Sequence, residues 1–373
     1  FFGMPAVGAL IGAIALAVLF MAVAPAFRSV DNIGTILYSS STIGIMAVFV
    51  ALLMIGGEFD LSTGVAVTTA GLAAAHSAWW FNFNVWVGVL ISLLLALAIG
   101  AFNGWLLHIT KLPSFLVTLG TYFVFWGANL AVTRIVTGGV SSNAINDMAG
   151  FNSAHAVFAS EFSIGPIDIK IPIVYWILLT LAVSFLLLRT KYGNWILASG
   201  GDSAAARAVG VPVVATKIAL FMGTGFAAWL LGMHTLFEYN TLQSGTGPGY
   251  EFIYIIAAVI GGCLLTGGYG SIVGGSIGAL IYGMAVLGIN YAGWDTHSDN
   301  FKSLKNNKLP QLDDDVVVET AFEMDFKPGA KAGGRQTVRI DQPGVYLVRV
   351  ESRQTGSDHE HFAAIDLVVR EKP

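Results

Sequence analysis

Glu58, Asp60 and Ser62 are the residues in this chain whose types and spacing most invite a chemical reading. They lie in Gly56-Gly57-Glu58-Phe59-Asp60-Leu61-Ser62-Thr63-Gly64, between two long apolar runs. A carboxylate at membrane depth is costly unless it faces water or a partner. Two acids flanked by glycines therefore read as a helix break that lines a polar pathway. Asp60 can also cap the helix that follows, because a carboxylate accepts from the free N–H groups of a first turn. The competing reading of the same residues is an ordinary interfacial loop. A second candidate is His359-Glu360-His361, where residues 359 and 361 share one face of a strand and could hold a metal. Two ligands do not complete a site, so a solvated strand start is the plainer reading. His76, His108, His155 and His234 are too far apart in sequence to show a ligand spacing. No nucleophile and base stand together, and no GxxxxGK[ST] is present, so ATP hydrolysis is not expected of this chain and no cofactor is implied. Cys263 is the single cysteine, which excludes an intrachain disulfide and a cysteine zinc cluster.

The elements that must position these residues are set by composition. The chain is 55% hydrophobic and 11% charged, against roughly 25% charged in soluble domains. So much apolar surface points to lipid as the solvent. A net charge of −4 gives no support to nucleic-acid binding. Residues 1–294 carry 8 Lys/Arg and 9 Asp/Glu, whereas 295–373 carry 11 and 14, so a boundary falls near Trp294–Asp295. A spanning helix needs about 20 mostly apolar residues. The expected spans are 5–26, 34–56, 62–78, 85–107, 113–133, 171–188, 217–236, 251–266 and 272–292, about nine in all. The third and eighth are short and glycine-interrupted, as in broken helices packed inside protein. The chain opens on Phe1 rather than Met, so residues ahead of it are expected; its first apolar run is long enough to span, unlike a cleavable leader.

Loop charge sets an expected orientation. Arg189, Lys191, Arg207 and Lys217 stand against Asp202 alone in the 189–217 loop, while Arg134 and Lys170 are outnumbered by Asp147, Glu161 and Asp168 in 134–170. The positive-inside rule places the first loop and the N-terminus in the cytoplasm, and the tail on the opposite side if 251–266 and 272–292 both cross fully. Within the basic loop, Asp202 or Ser203 can start a short Ala-rich helix that Gly210 ends. Such a helix offers a docking surface for a soluble partner; a structured loop without a partner is the alternative. Further on, Gly245 to Gly249, Gly261-Gly262, Gly267-Gly268, Gly270 and Gly274-Gly275 read mainly as close helix packing.

The tail has another character. Residues 315–322, 335–340, 344–351 and 361–369 read as short strands, with Pro328-Gly329, Gly333-Gly334 and Pro343-Gly344 as turns. The fold class is thus an all-α polytopic membrane protein over 1–294, with a small β-rich polar extension over 295–373.

Several separated motifs, in order, resemble the ribose/xylose/galactose-type permeases of ABC importers. They are Gly57 through Gly64, Phe102-Asn103-Gly104, Leu112-Pro113-Ser114-Phe115-Leu116-Val117-Thr118-Leu119-Gly120, Gly193 through Gly210, and Gly249-Tyr250-Glu251 through Gly275. The family pattern has Ile at the position of Phe59 and Asn at that of Asp202. The resemblance implies an inner-membrane permease whose pathway two subunits form, in a homodimer. A separate cytoplasmic ATPase would drive it and a periplasmic binding protein would deliver the solute. It further implies that Gly200, Gly201, Asp202, Ser203, Ala206, Arg207 and Gly210 belong to a coupling helix docked on the ATPase. A branched-chain amino-acid or nucleoside permease is the close alternative. The family's last span normally follows Gly293-Trp294, where this chain turns polar. Gly344 to Glu351 and His359 to Val369 are instead similar to part of a family of small periplasmic β-domain proteins, so a membrane-anchored β module acting through its tail is the reading from a different class.

Overall fold

The computed structural model describes residues 5–294, 344–353 and 360–369. The chain divides into two compact units, 1–309 and 310–373.

The first unit is helical. In chain order it holds α1 (Pro5–Val23), a 3₁₀ turn (Pro25–Arg28), α2 (Asp31–Ile55), α3 (Thr63–Phe81), α4 (Val85–Thr110), α5 (Ser114–Thr137) and α6 (Phe151–Phe158). There follow a hairpin of β1 (Glu161–Ile164) and β2 (Ile167–Lys170), then α7 (Ile171–Arg189), α8 (Lys191–Gly201), α9 (Ser203–Ala208), α10 (Val213–Tyr239), α11 (Tyr250–Ile260) and α12 (Ile272–Ala292). Seven of the described helices are long and apolar enough to cross a membrane: α1, α2, α4, α5, α7, α10 and α12.

Of the nine spans expected, those over 62–78 and 251–266 are not among these seven, for different reasons. α3 has 19 residues, enough length, but its Thr, Gly, Ser and His content dilutes its hydropathy. Most of its positions are buried against α4, α10 and α5, so protein rather than lipid is its solvent and an apolar surface is not required. α11 has only 11 residues. At about 1.5 Å per residue it reaches roughly half of a ~30 Å hydrocarbon layer. The apolar run continues through Cys263, Leu264 and Leu265, but the helix stops at Gly261 and the Leu264 N–H turns back to Tyr269 O at 3.1 Å.

Irregular backbone leads into α11. Residues 240–249 are held at one end by the 140–145 segment, where the Ser142 N–H donates to Leu242 O at 2.9 Å and the Ser244 N–H to Val140 O at 2.9 Å. At the other end the Thr68 hydroxyl of α3 donates to Thr246 O at 2.9 Å. These donors and acceptors come from protein, which is the condition for non-helical backbone at membrane depth.

α2 is the axis of the bundle. Ile45, Met46, Ala47, Val48, Leu53 and Ile55 are fully buried, and α12, α7, α10 and α11 all pack on it. α1 is the opposite case: Leu10, Ile11, Ile14 and Val18 are exposed, a surface suited to lipid.

In the second unit, β3 (Gly344–Arg353) pairs antiparallel with β4 (Glu360–Val369), Gly344 opposite Val369 and Arg353 opposite Glu360. His361 lies on β4 opposite Ser352. His359 and the strands expected over 315–322 and 335–340 lie outside the described residues.

Candidate functional site

The break between α2 and α3 occupies residues 56–62 and is enclosed by three other helices. Glu58, Asp60 and Ser62 are all buried. Asp60 does not cap the first turn of α3. Its Oδ1 accepts from the Ser62 N–H at 2.9 Å and the Ser62 hydroxyl at 2.6 Å, and its Oδ2 accepts from the Thr224 hydroxyl of α10 at 3.1 Å. Ser62 Oγ in turn accepts from Asn103 Nδ2 of α4 at 3.0 Å. Two hydroxyls from the start of α5 take two further amides: the Phe59 N–H donates to Ser114 Oγ and the Leu61 N–H to Thr118 Oγ1, each at 2.9 Å. Glu58 forms an ion pair with Lys217 near the start of α10.

Three motifs that stand apart in the sequence, around 58–62, 103 and 114–118, are thus one polar knot. An irregular backbone buried among helices must find partners for its amides, because unsatisfied buried amides are costly. Sequence reasoning missed Lys217 and Thr224. The available signal was a lone cation inside the apolar run 213–239, which demands a counter-charge. Thr224 lies seven residues on, two turns along the same helical face.

The second part of the site is the basic loop. α8 starts at Thr190, whose Oγ1 accepts from the Gly193 N–H at 3.4 Å. α9 follows at once, capped as the sequence requires: Asp202 Oδ1 accepts from the Ala204 N–H at 2.8 Å and the Ala205 N–H at 3.0 Å. Gly210, at φ 87°, ends it. Asp202, Arg207 and Gly210 are exposed, Ser203 is half-buried and Ala206 is the buried anchor. The two amides hold the Asp202 carboxyl below the usual carboxylate range, the Ala205 bond being the larger cause. A carboxyl with a depressed folded pKa stabilises above its ordinary pKa and loses that contribution as pH falls through the folded value. Asp202→Ala is accordingly expected to fray α9 at neutral pH, with the difference from the parent vanishing in acid. Proteolytic cleavage within 203–210, followed from pH 7 to pH 3, measures it; equal cleavage at neutral pH would remove the cap from the argument.

The two parts touch. Gly57, at φ 83°, lies so close to α8 that a Cβ on it would come 3.1 Å from Gly200 Cα. A Cβ on Gly200 would strike Ile55 O and lie 2.7 Å from the Gly268 N–H. That amide donates to Ile55 O at 2.9 Å. A Cβ on Gly267 would in turn come 2.6 Å from Gly57 Cα. The end of α2, the end of α8 and the loop 261–271 therefore meet backbone to backbone, which only glycine permits.

Residues 32–309 match the family described as branched-chain amino acid transport system / permease component. The chain belongs to this family. The match runs past Trp294, into the stretch that composition assigns to the tail. Among curated relatives, the chain is similar to the ribose import permease protein RbsC of Escherichia coli (strain K12), with 33% identity over 285 residues, 76% of this chain and 85% of the relative. It is also similar to RbsC of Haemophilus influenzae, with 31% identity covering 71% of this chain and 79% of the relative. The xylose transport system permease protein XylH of Escherichia coli (strain K12) is 27% identical over 69% of this chain and 77% of its own length. No solved structure matches the chain. The family is that of the permease component of such transport systems, which makes this chain a permease subunit rather than the ATPase. Among the described residues no group of three or more His, Cys, Asp or Glu could hold a metal ion.

Proposed function

We propose that this family member is the membrane-spanning permease subunit of an ATP-driven importer for a pentose or hexose sugar. The observation that carries the reading is the 33% identity to a ribose import permease across 85% of that relative's length. Branched-chain amino acids and nucleosides are the alternative solutes, and the identity to ribose and xylose permeases favours sugar over both.

In this reading two copies of the chain enclose the pathway, a cytoplasmic ATPase dimer docks on Gly200 to Gly210, and a solute-binding protein delivers from the far side. The cation excess of 189–217 supports a cytoplasmic position for α9. Glu58, Asp60 and Ser62 serve as helix-break residues; their burial supports a structural share in that role.

The test is transport by the full chain in vesicles, with the ATPase and binding protein encoded beside it. ATP-dependent accumulation of radiolabelled ribose or xylose is expected, with no accumulation of leucine or uridine. Accumulation of leucine or uridine alone would overturn the choice of sugar. No accumulation of any solute would overturn the permease reading.

A further inference from the structure

The break at 56–62 is tied to both flanks of α9. On the N-terminal flank, Gly200 packs against Gly57 and Ile55, and a Cβ on Gly268 would come 2.8 Å from Gly201 Cα. On the C-terminal flank, nine residues beyond α9, Lys217 reaches Glu58, the residue after Gly57. Ala206 is the one buried residue of α9 itself. A body held at both ends to one short loop carries that loop with it when it moves. The two ties differ in kind. The glycine contacts are backbone against backbone and resist approach. The ion pair resists separation, and with both side chains largely withdrawn from solvent it is poorly screened.

We infer that Lys217 is a positioning residue for transport: its ion pair with Glu58, together with the Gly57–Gly200 contact, transmits displacement of α9 to the α2–α3 break. The inference rests on the permease reading, because the ATPase has to be what moves α9. A pair that served only folding would be replaceable by neutral side chains of similar size, since exchange of a buried ion pair for apolar packing is often neutral in stability. A pair that transmits force in tension would not.

The experiment uses the full chain assembled with its ATPase and binding protein in proteoliposomes, reading ribose or xylose uptake and ATP hydrolysis together. In Glu58→Gln/Lys217→Met the assembly is expected to form and hydrolyse ATP, while sugar moved per ATP falls about tenfold, within the roughly 5–150-fold of an inter-site coupling. The exchanged pair Glu58→Lys/Lys217→Glu is expected to recover most of the coupling. Unchanged sugar per ATP in the neutral pair overturns the inference, as does an exchanged pair that stays uncoupled. A proportional fall of uptake and hydrolysis assigns the pair to folding and overturns it too. If the neutral pair does not reach the membrane, the exchanged pair decides alone by the same criterion. No ATP-driven uptake by the unmodified assembly is a different failure: it removes the permease reading, and this inference with it.

Discussion

Gly200→Ala is expected to unfold the membrane unit at markedly lower temperature than the parent, while Gly201→Ala one residue later leaves it near the parent value. The added methyl at 200 falls on Ile55 O and 2.7 Å from the Gly268 N–H, between the partners of a 2.9 Å hydrogen bond. None of these atoms is the end of a flexible side chain, so relief requires α2, α8 or the 261–271 loop to shift. Forcing a methyl into packed surroundings costs about 1–3 kcal/mol, and losing a buried backbone hydrogen bond adds about 1–3 kcal/mol. A total near 3 kcal/mol corresponds to a fall on the order of 10 °C. A Cβ at Gly201 meets nothing within 4 Å, so the effect there is the small gain of replacing glycine near a helix end. Thermal unfolding of the detergent-solubilised chain, followed by the loss of its monodisperse chromatographic peak, measures both. Equal midpoints for the two variants would show that the three-way backbone contact is not load-sensitive. Size and neighbouring sequence do not separate these two glycines; only their surroundings do.

That contrast marks where the sequence is legible. The cap at Asp202, the short helix behind it and the stop at Gly210 depend on neighbours a few residues away, and each is readable from spacing. The spans that face lipid are readable for a similar reason, since one bulk solvent dictates their composition. α3 and α11 escape a hydropathy reading because protein surrounds most of the first and the second ends at a glycine inside a continuing apolar run. The polar knot was legible only in its parts. Glu58 and Asp60 announce themselves as acids between apolar runs, but the partners that define their role are Lys217, 159 residues away, and Thr224, 164 residues away. A lone lysine within an apolar run implies a carboxylate partner without saying which, and the bundle holds several.

Asp60 is where the structural and functional readings of the break separate by a measurable amount. Asp60→Ala removes the acceptor for the Ser62 N–H and the Ser62 hydroxyl, both buried beside the start of α3. Each orphaned donor costs about 1–3 kcal/mol, so a loss near 3 kcal/mol is expected. The Thr224 hydroxyl escapes the penalty, because it can donate to Phe221 O at 2.8 Å instead. Asp60→Asn behaves differently. Its amide oxygen can keep both Ser62 bonds, and its NH₂ can donate to Thr224 Oγ1, which is then free to donate to Phe221 O. The knot survives with its charge removed, at an expected cost of about 1 kcal/mol, the scale of one net hydrogen bond. Thermal unfolding of the two variants tests this order, and an asparagine variant as unstable as the alanine one would contradict it. Sugar uptake by the folded Asp60→Asn protein then isolates the charge. If the break is a structural knot, uptake per folded copy stays within about twofold of the parent, a difference of about 0.4 kcal/mol. If Asp60 is a charged wall of the pathway, uptake falls with the fold intact. The first outcome is expected, because all of Asp60's hydrogen-bond partners lie inside the bundle and both of its oxygens are engaged there.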